Sequence, residues 1–221
     1  MAAVAGVLLA SSAQAAGPLC AGGGDRATDA TVSCADFELR YGSRTIEDAN
    51  IQSVYGENAH GILMVEAGPQ ILRVFEVDLG FGLYRKFDRA SGSSGLESEV
   101  QTMLSLWPVS LGGTFRLHLL DEQLIVPFVR GGVDYIMFGE RWDNGTGGRN
   151  VVKGARFGNH IAGGVNILLD PFAPGRASLL EAQTGINDTF LTIEYRRTSA
   201  MAESGFDLSG TNLSVGIKLD Y

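Results

Sequence analysis

The sequence predicts an all-β fold: an eight-stranded antiparallel up-and-down transmembrane β-barrel with one short helix. Three observations carry this. Apolar residues alternate with charged or small ones in eight separate segments, so each would carry one oily and one polar face. After residue 15 no stretch is apolar for the roughly 20 residues that a membrane helix requires, so any span must be a strand. Thirty glycines against six prolines suit tight turns and a crowded barrel interior better than a helical protein.

Residues 1–15 read as an export signal. Val4, Val7, Leu8 and Leu9 form a short apolar run, and Ala13 and Ala15 supply a small-x-small cleavage pattern after Ala15. No Lys or Arg precedes the run, which points to a start codon upstream. Residues 16–35 follow as a periplasmic N-terminal segment holding both cysteines, Cys20 and Cys34. In an exported chain such a pair forms a disulfide or stays as two thiols; a bridge would contribute on the order of 3 kcal/mol. No histidine lies near them, and no metal site is expected.

The barrel is expected over residues 36–221. Residues 36–42 set Phe37, Leu39 and Tyr41 against Glu38 and Arg40, and residues 61–71 set Leu63, Val65, Ala67 and Ile71 against Glu66 and Gln70. The clearest alternation is at 73–87, with Phe75, Val77, Leu79, Phe81 and Leu83 opposite Glu76, Asp78, Gly80, Gly82, Tyr84 and Lys86. In residues 103–119, Trp107, Val109, Leu111, Phe115 and Leu117 oppose Ser110, Gly112, Thr114, Arg116 and His118. Residues 126–141 place Val129, Val133, Tyr135 and Met137 against Arg130, Gly132, Asp134 and Glu140, with Ile136 and Phe138 interrupting the polar face. Residues 155–169 oppose Phe157, Ile161, Val165 and Ile167 to Arg156, Gly158, His160, Gly164 and Asn166. Residues 189–198 oppose Leu191, Ile193 and Tyr195 to Thr192, Glu194 and Arg196, and residues 208–221 supply the eighth strand.

An even strand number puts both termini on one side of the membrane. Residues 43–58, 88–99, 143–153 and 199–207 then become outward loops, and 70–72 and 120–124 short turns on the terminal side. One connection is different. Residues 170–175 read as a turn into a helix at 176–184, capped by Gly185, and this helix falls on the periplasmic side. Leu179, Leu180 and Phe172 would either fold beneath the barrel as a lid or pack on its rim.

The polar face gathers Glu38, Arg40, Glu66, Glu76, Asp78, Arg116, Arg130, Asp134, Arg156, Glu194, Arg196 and Lys218. An eight-stranded barrel is only wide enough for its own side chains, so these charges are expected to interlock as a salt-bridged plug. The formal net charge of −8 argues against a nucleic-acid partner, which demands a basic face. No cofactor is implied.

Leu213, Val215, Ile217, Leu219 and Tyr221 alternate with polar residues up to an aromatic at the end of the sequence. This segment resembles the closing strand of bacterial outer-membrane barrels, and the chain as a whole resembles the small families of OmpA, OmpX and OmpW size. The resemblance implies a cell outer-membrane location and partners in outer-membrane lipid and lipopolysaccharide. It also implies that barrel-assembly machinery and periplasmic chaperones handle the chain, with the five terminal apolar positions as the assembly signal. It leaves the oligomeric state and the loop ligands open.

Two alternatives to a non-enzymatic barrel with a structural, surface-interaction or small-solute role remain. A lipid-modifying outer-membrane hydrolase would need a serine beside a histidine, but His60, His118 and His160 are each followed by residues that supply no His-x-Ser pair. A soluble periplasmic lipocalin-like binder would need the oily faces turned inward.

Overall fold

The computed structural model describes residues 35–221 apart from residues 57, 72–73, 92–96, 121–122, 144–148 and 201–205. The export signal and the Cys20 and Cys34 pair lie outside the described residues.

Eight strands form a closed barrel, each hydrogen-bonded to its neighbours in sequence order. They are β1 Ala35–Ile46, β2 His60–Ile71, β3 Phe75–Ser91, β4 Glu97–Arg116, β5 Ile125–Asp143, β6 Arg149–Leu168, β7 Asp188–Ser199 and β8 Gly210–Asp220. All pairings are antiparallel. The ring closes between β1 and β8 with Leu39 opposite Ile217 and Tyr41 opposite Val215. Ala35 and Tyr221 exchange backbone hydrogen bonds at its terminal edge, at 2.8 and 3.3 Å. Closure leaves no unpaired strand edge, the condition for carrying a sheet through hydrocarbon.

Burial is inverted relative to a water-soluble protein. Tyr41, Leu79, Phe157 and Ile161 point outward and are 62–78% exposed, while Glu38, Arg40, Glu76, Arg116 and Glu194 point inward and are at most 1% exposed. A lipocalin-like binder requires the opposite arrangement, and the fold excludes it.

The alternation persists further than the sequence reading placed it. β1 continues through Arg44 and Ile46, pairing Arg44 with Asn212 and Ile46 with Gly210. The expected loops at 88–99 and 143–153 are in large part strand, because β3 and β4 run to Ser91 and Glu97 and β5 and β6 to Asp143 and Arg149. Asn150, Val151, Val152 and Lys153 are exposed whichever face they occupy, so the β5–β6 hairpin stands clear of the barrel wall.

Residues 49–55, expected to be loop, form a helix. α1 (Ala49–Tyr55) starts at Asp48, whose Oδ1 accepts from the Asn50 and Ile51 amides at 2.8 and 2.9 Å. It buries Ile51 and Tyr55 against inward residues of the half of the barrel farther from the termini: Ile46, Ile62, Met64, Tyr84, Leu104, Leu106, Ile136 and Phe138. Ile136 and Phe138 break the polar face because α1 supplies an apolar partner there.

The helix on the terminal side forms where expected, as α2 (Pro174–Thr184) after a 3-10 turn at Asp170–Phe172. Gly185 adopts φ +74° and its amide donates to the Glu181 carbonyl. The lid is not formed. None of the α2 residues is buried, and Leu179 and Leu180 are 57% and 41% exposed.

Candidate functional site: the charged lumen

Period-two geometry places every second residue of each strand in the lumen, and the pairing register then decides which charges meet. The glycines across the register make room for them. Arg40 lies opposite Gly216, Glu66 opposite Gly80, Glu194 opposite Gly164 and His160 opposite Gly132. A Cβ at Gly216 would stand 2.5 Å from Arg40 Cγ, and one at Gly80 would stand 2.8 Å from Glu66 Cγ.

At the centre, Arg130 gathers three carboxylates from three other strands. Its Nη2 donates to Glu38 at 2.9 Å and its Nη1 to Glu194 at 2.8 Å and to Glu66. Its Nε donates to Thr114 Oγ1 at 2.7 Å, and that hydroxyl donates to Asp78 at 2.6 Å. Arg40 pairs with the same three carboxylates, with Glu66 at 2.6 Å, Glu38 at 3.4 Å and Glu194. Arg196 donates to Glu66 at 2.9 Å and to Asp134 at 3.0 Å. His160 Nδ1 lies 3.0 Å from Asp134 Oδ1 and 2.8 Å from Arg196 Nη2, so its tautomer decides whether it donates to the one or accepts from the other.

Toward the termini a second group forms. Lys218 donates to Asp36 at 2.8 Å and to Glu76 at 2.7 Å, while Arg116 donates to Glu76 at 2.8 Å and to Asp220 at 2.7 Å. The Arg116 guanidinium also stands over the Phe190 ring, 5.0 Å from its centroid. Ligand atoms of Asp36, Glu76 and Asp78 lie within 4.8 Å of one another, and Lys218 joins the first two as their internal cation.

Eleven of the twelve charges read from the sequence therefore meet in the lumen. Arg156 does not join them. It is only half-buried and stacks over Phe138, 5.6 Å from the ring centroid, because β6 at that height is leaving the ion-pair layer for the apolar layer around α1. The sequence reading missed Asp36, Arg44 and Asp220. Asp36 and Asp220 sit at strand ends, and Arg44 falls in the 43–58 segment, whose sequence predicts a loop; its Nη2 donates to the Leu208 carbonyl at 2.8 Å. Continuing the alternation two residues past Gly42 would have found it. The five terminal positions Leu213, Val215, Ile217, Leu219 and Tyr221 are outward on the wall, the first three exposed and the last two half-buried.

Chemically, the arrangement is a clamp. Buried charges gain only when each is paired and hydrogen-bonded, and here Arg40, Arg116, Arg130, Arg196 and Lys218 are each shared by carboxylates from at least two strands, tying the wall together across its diameter. The space left among Arg44, Ile62, Met64, Asp134, Ile136 and Arg196 is about 10 Å³, room for at most one water molecule.

No family model matches the chain, and no curated protein matches it. Solved structures do. Neisserial surface protein A (NspA) aligns with a TM-score of 0.54 at 12% identity, over 85% of this chain and 97% of that one. Ail, the attachment invasion locus protein of Yersinia pestis, solved with the heparin analogue sucrose octasulfate, aligns with a TM-score of 0.51 at 8% identity, over 86% of this chain and 99% of that one. Identities this low speak for the fold alone. With its inverted burial, closed ring and charged, filled interior, the chain is an integral eight-stranded β-barrel of the outer-membrane type.

Proposed function

We propose that this barrel is a non-conducting, non-enzymatic outer-membrane protein that presents its far-end hairpins at the cell surface. The observation that carries the reading is a lumen blocked by two layers of ion pairs, below an apolar layer that α1 covers and that keeps a cavity of about 220 Å³ bordered by Ile51, Tyr55, Leu104 and Glu140. The hairpin that stands clear of the wall supplies a contact surface, and the termini lie at the opposite, periplasmic end. Two solved barrels of this fold are described as a surface protein and an attachment protein, which agrees with such a role. A hydrolase reading gains no support from His160, which is buried with Asp134 and Arg196 as its hydrogen-bond partners among the described residues.

In this reading residues 1–15 direct export and Cys20 and Cys34 form a disulfide in the periplasm. Leu213, Val215, Ile217, Leu219 and Tyr221 are read by the assembly machinery, and lipid and lipopolysaccharide surround the wall. Planar-bilayer recording of the folded barrel is the test. Vesicle assays first establish insertion; inserted protein should then give no discrete current steps, and reproducible unitary conductance would overturn the reading.

A further inference from the structure

α2 has little to hold it folded in water beyond Pro174 at its first turn and the Gly185 cap. It is 11 residues long, lacks a side-chain N-cap and buries none of its residues, with only Ala177 half-covered. An isolated helix shorter than about 12–15 residues is marginal in water, so another surface must hold it. The surroundings indicate which. Leu119 and Leu120, in the β4–β5 connection at the same end, are 76% and 70% exposed, and Phe172, just before α2, is 72% exposed. Exposed apolar residues thus continue past the strand ends into both of these connections, beside exposed polar residues such as Arg176 and Glu181.

We infer that α2 lies in the headgroup layer of the leaflet nearest the termini, with Phe172, Leu179 and Leu180 dipping into the acyl boundary. Arg176 and Glu181 on the same helix remain at headgroup level, where a long side chain can keep its charged end in water while its stem lies on apolar surface. The occupant is phospholipid, because the patch is continuous with the lipid-facing wall. The inference rests on the barrel being membrane-embedded.

Fluorescence quenching by brominated phospholipid tests it. The protein is folded into phosphatidylethanolamine/phosphatidylglycerol vesicles as Leu180→Trp in a background of Trp107→Phe and Trp142→Phe, with Phe172→Trp in the same background as a second reporter. Trp107 on the wall, kept in a Trp142→Phe variant, serves as the reference. The expected result is blue-shifted emission from Leu180→Trp that loses most of its intensity when the lipid is brominated, as Trp107 does. If Trp107 is quenched while both reporters emit as in water, the inference is overturned and the barrel stands. If Trp107 is not quenched either, the membrane-embedded reading fails, and the inference with it.

Discussion

Arg130 is the residue whose removal leaves the most charge stranded. Arg130→Ala would leave Glu38, Glu66 and Glu194 short of a partner at most 3% exposed, and breaking a buried network this way costs about 3–5 kcal/mol. Urea unfolding in lipid vesicles should show that loss. Arg197→Ala is the matched control, because its pair with Glu47 is solvent-exposed at 3.8 Å, and it should change stability by less than about 1 kcal/mol. Glycines divide the same way. Gly216→Ala forces a Cβ to within 2.2 Å of the Leu39 carbonyl oxygen and against Arg40, so it should destabilise by about 1–3 kcal/mol. Gly175→Ala, with nothing within 4 Å, should stabilise α2 by about 0.5–1 kcal/mol. Most of these charges were legible in the sequence because each lies on the strict alternation of a strand. Which charge meets which was not, since partners such as Arg130 and Glu38 are 92 positions apart and only the register brings them together.

Among the elements, α1 was the one the sequence concealed. Its seven residues show too few turns for a helical period to stand out, and its apolar residues gain most of their partners from positions far away in the sequence. The Asp48 cap was the available signal. Asp48 also accepts from the Asp207 amide at 2.8 Å, fastening α1 to the connection before β8. Asp48→Ala should therefore cost about 1–2 kcal/mol locally. Hydrogen exchange should show residues 49–55 losing protection while the strands keep theirs. The wall strands were far easier to read, because lipid outside and charge inside give each face a uniform chemistry. The exception is the apolar layer at the far end, where a rule of polar-inside residues stops holding once a helix enters the mouth.

For the whole molecule, the ring and the clamp make one prediction together. Closure hydrogen-bonds every strand to two neighbours, and Arg130 ties β5 across the lumen to Glu38 on β1 and Glu66 on β2, so the barrel should resist detergent until both are broken by heat. The most direct measurement compares the gel migration of detergent-extracted, carbonate-washed membranes before and after boiling. The account predicts a membrane-retained band whose unboiled form migrates differently from the boiled one. A protein released by carbonate, with identical migration in both lanes, would contradict it.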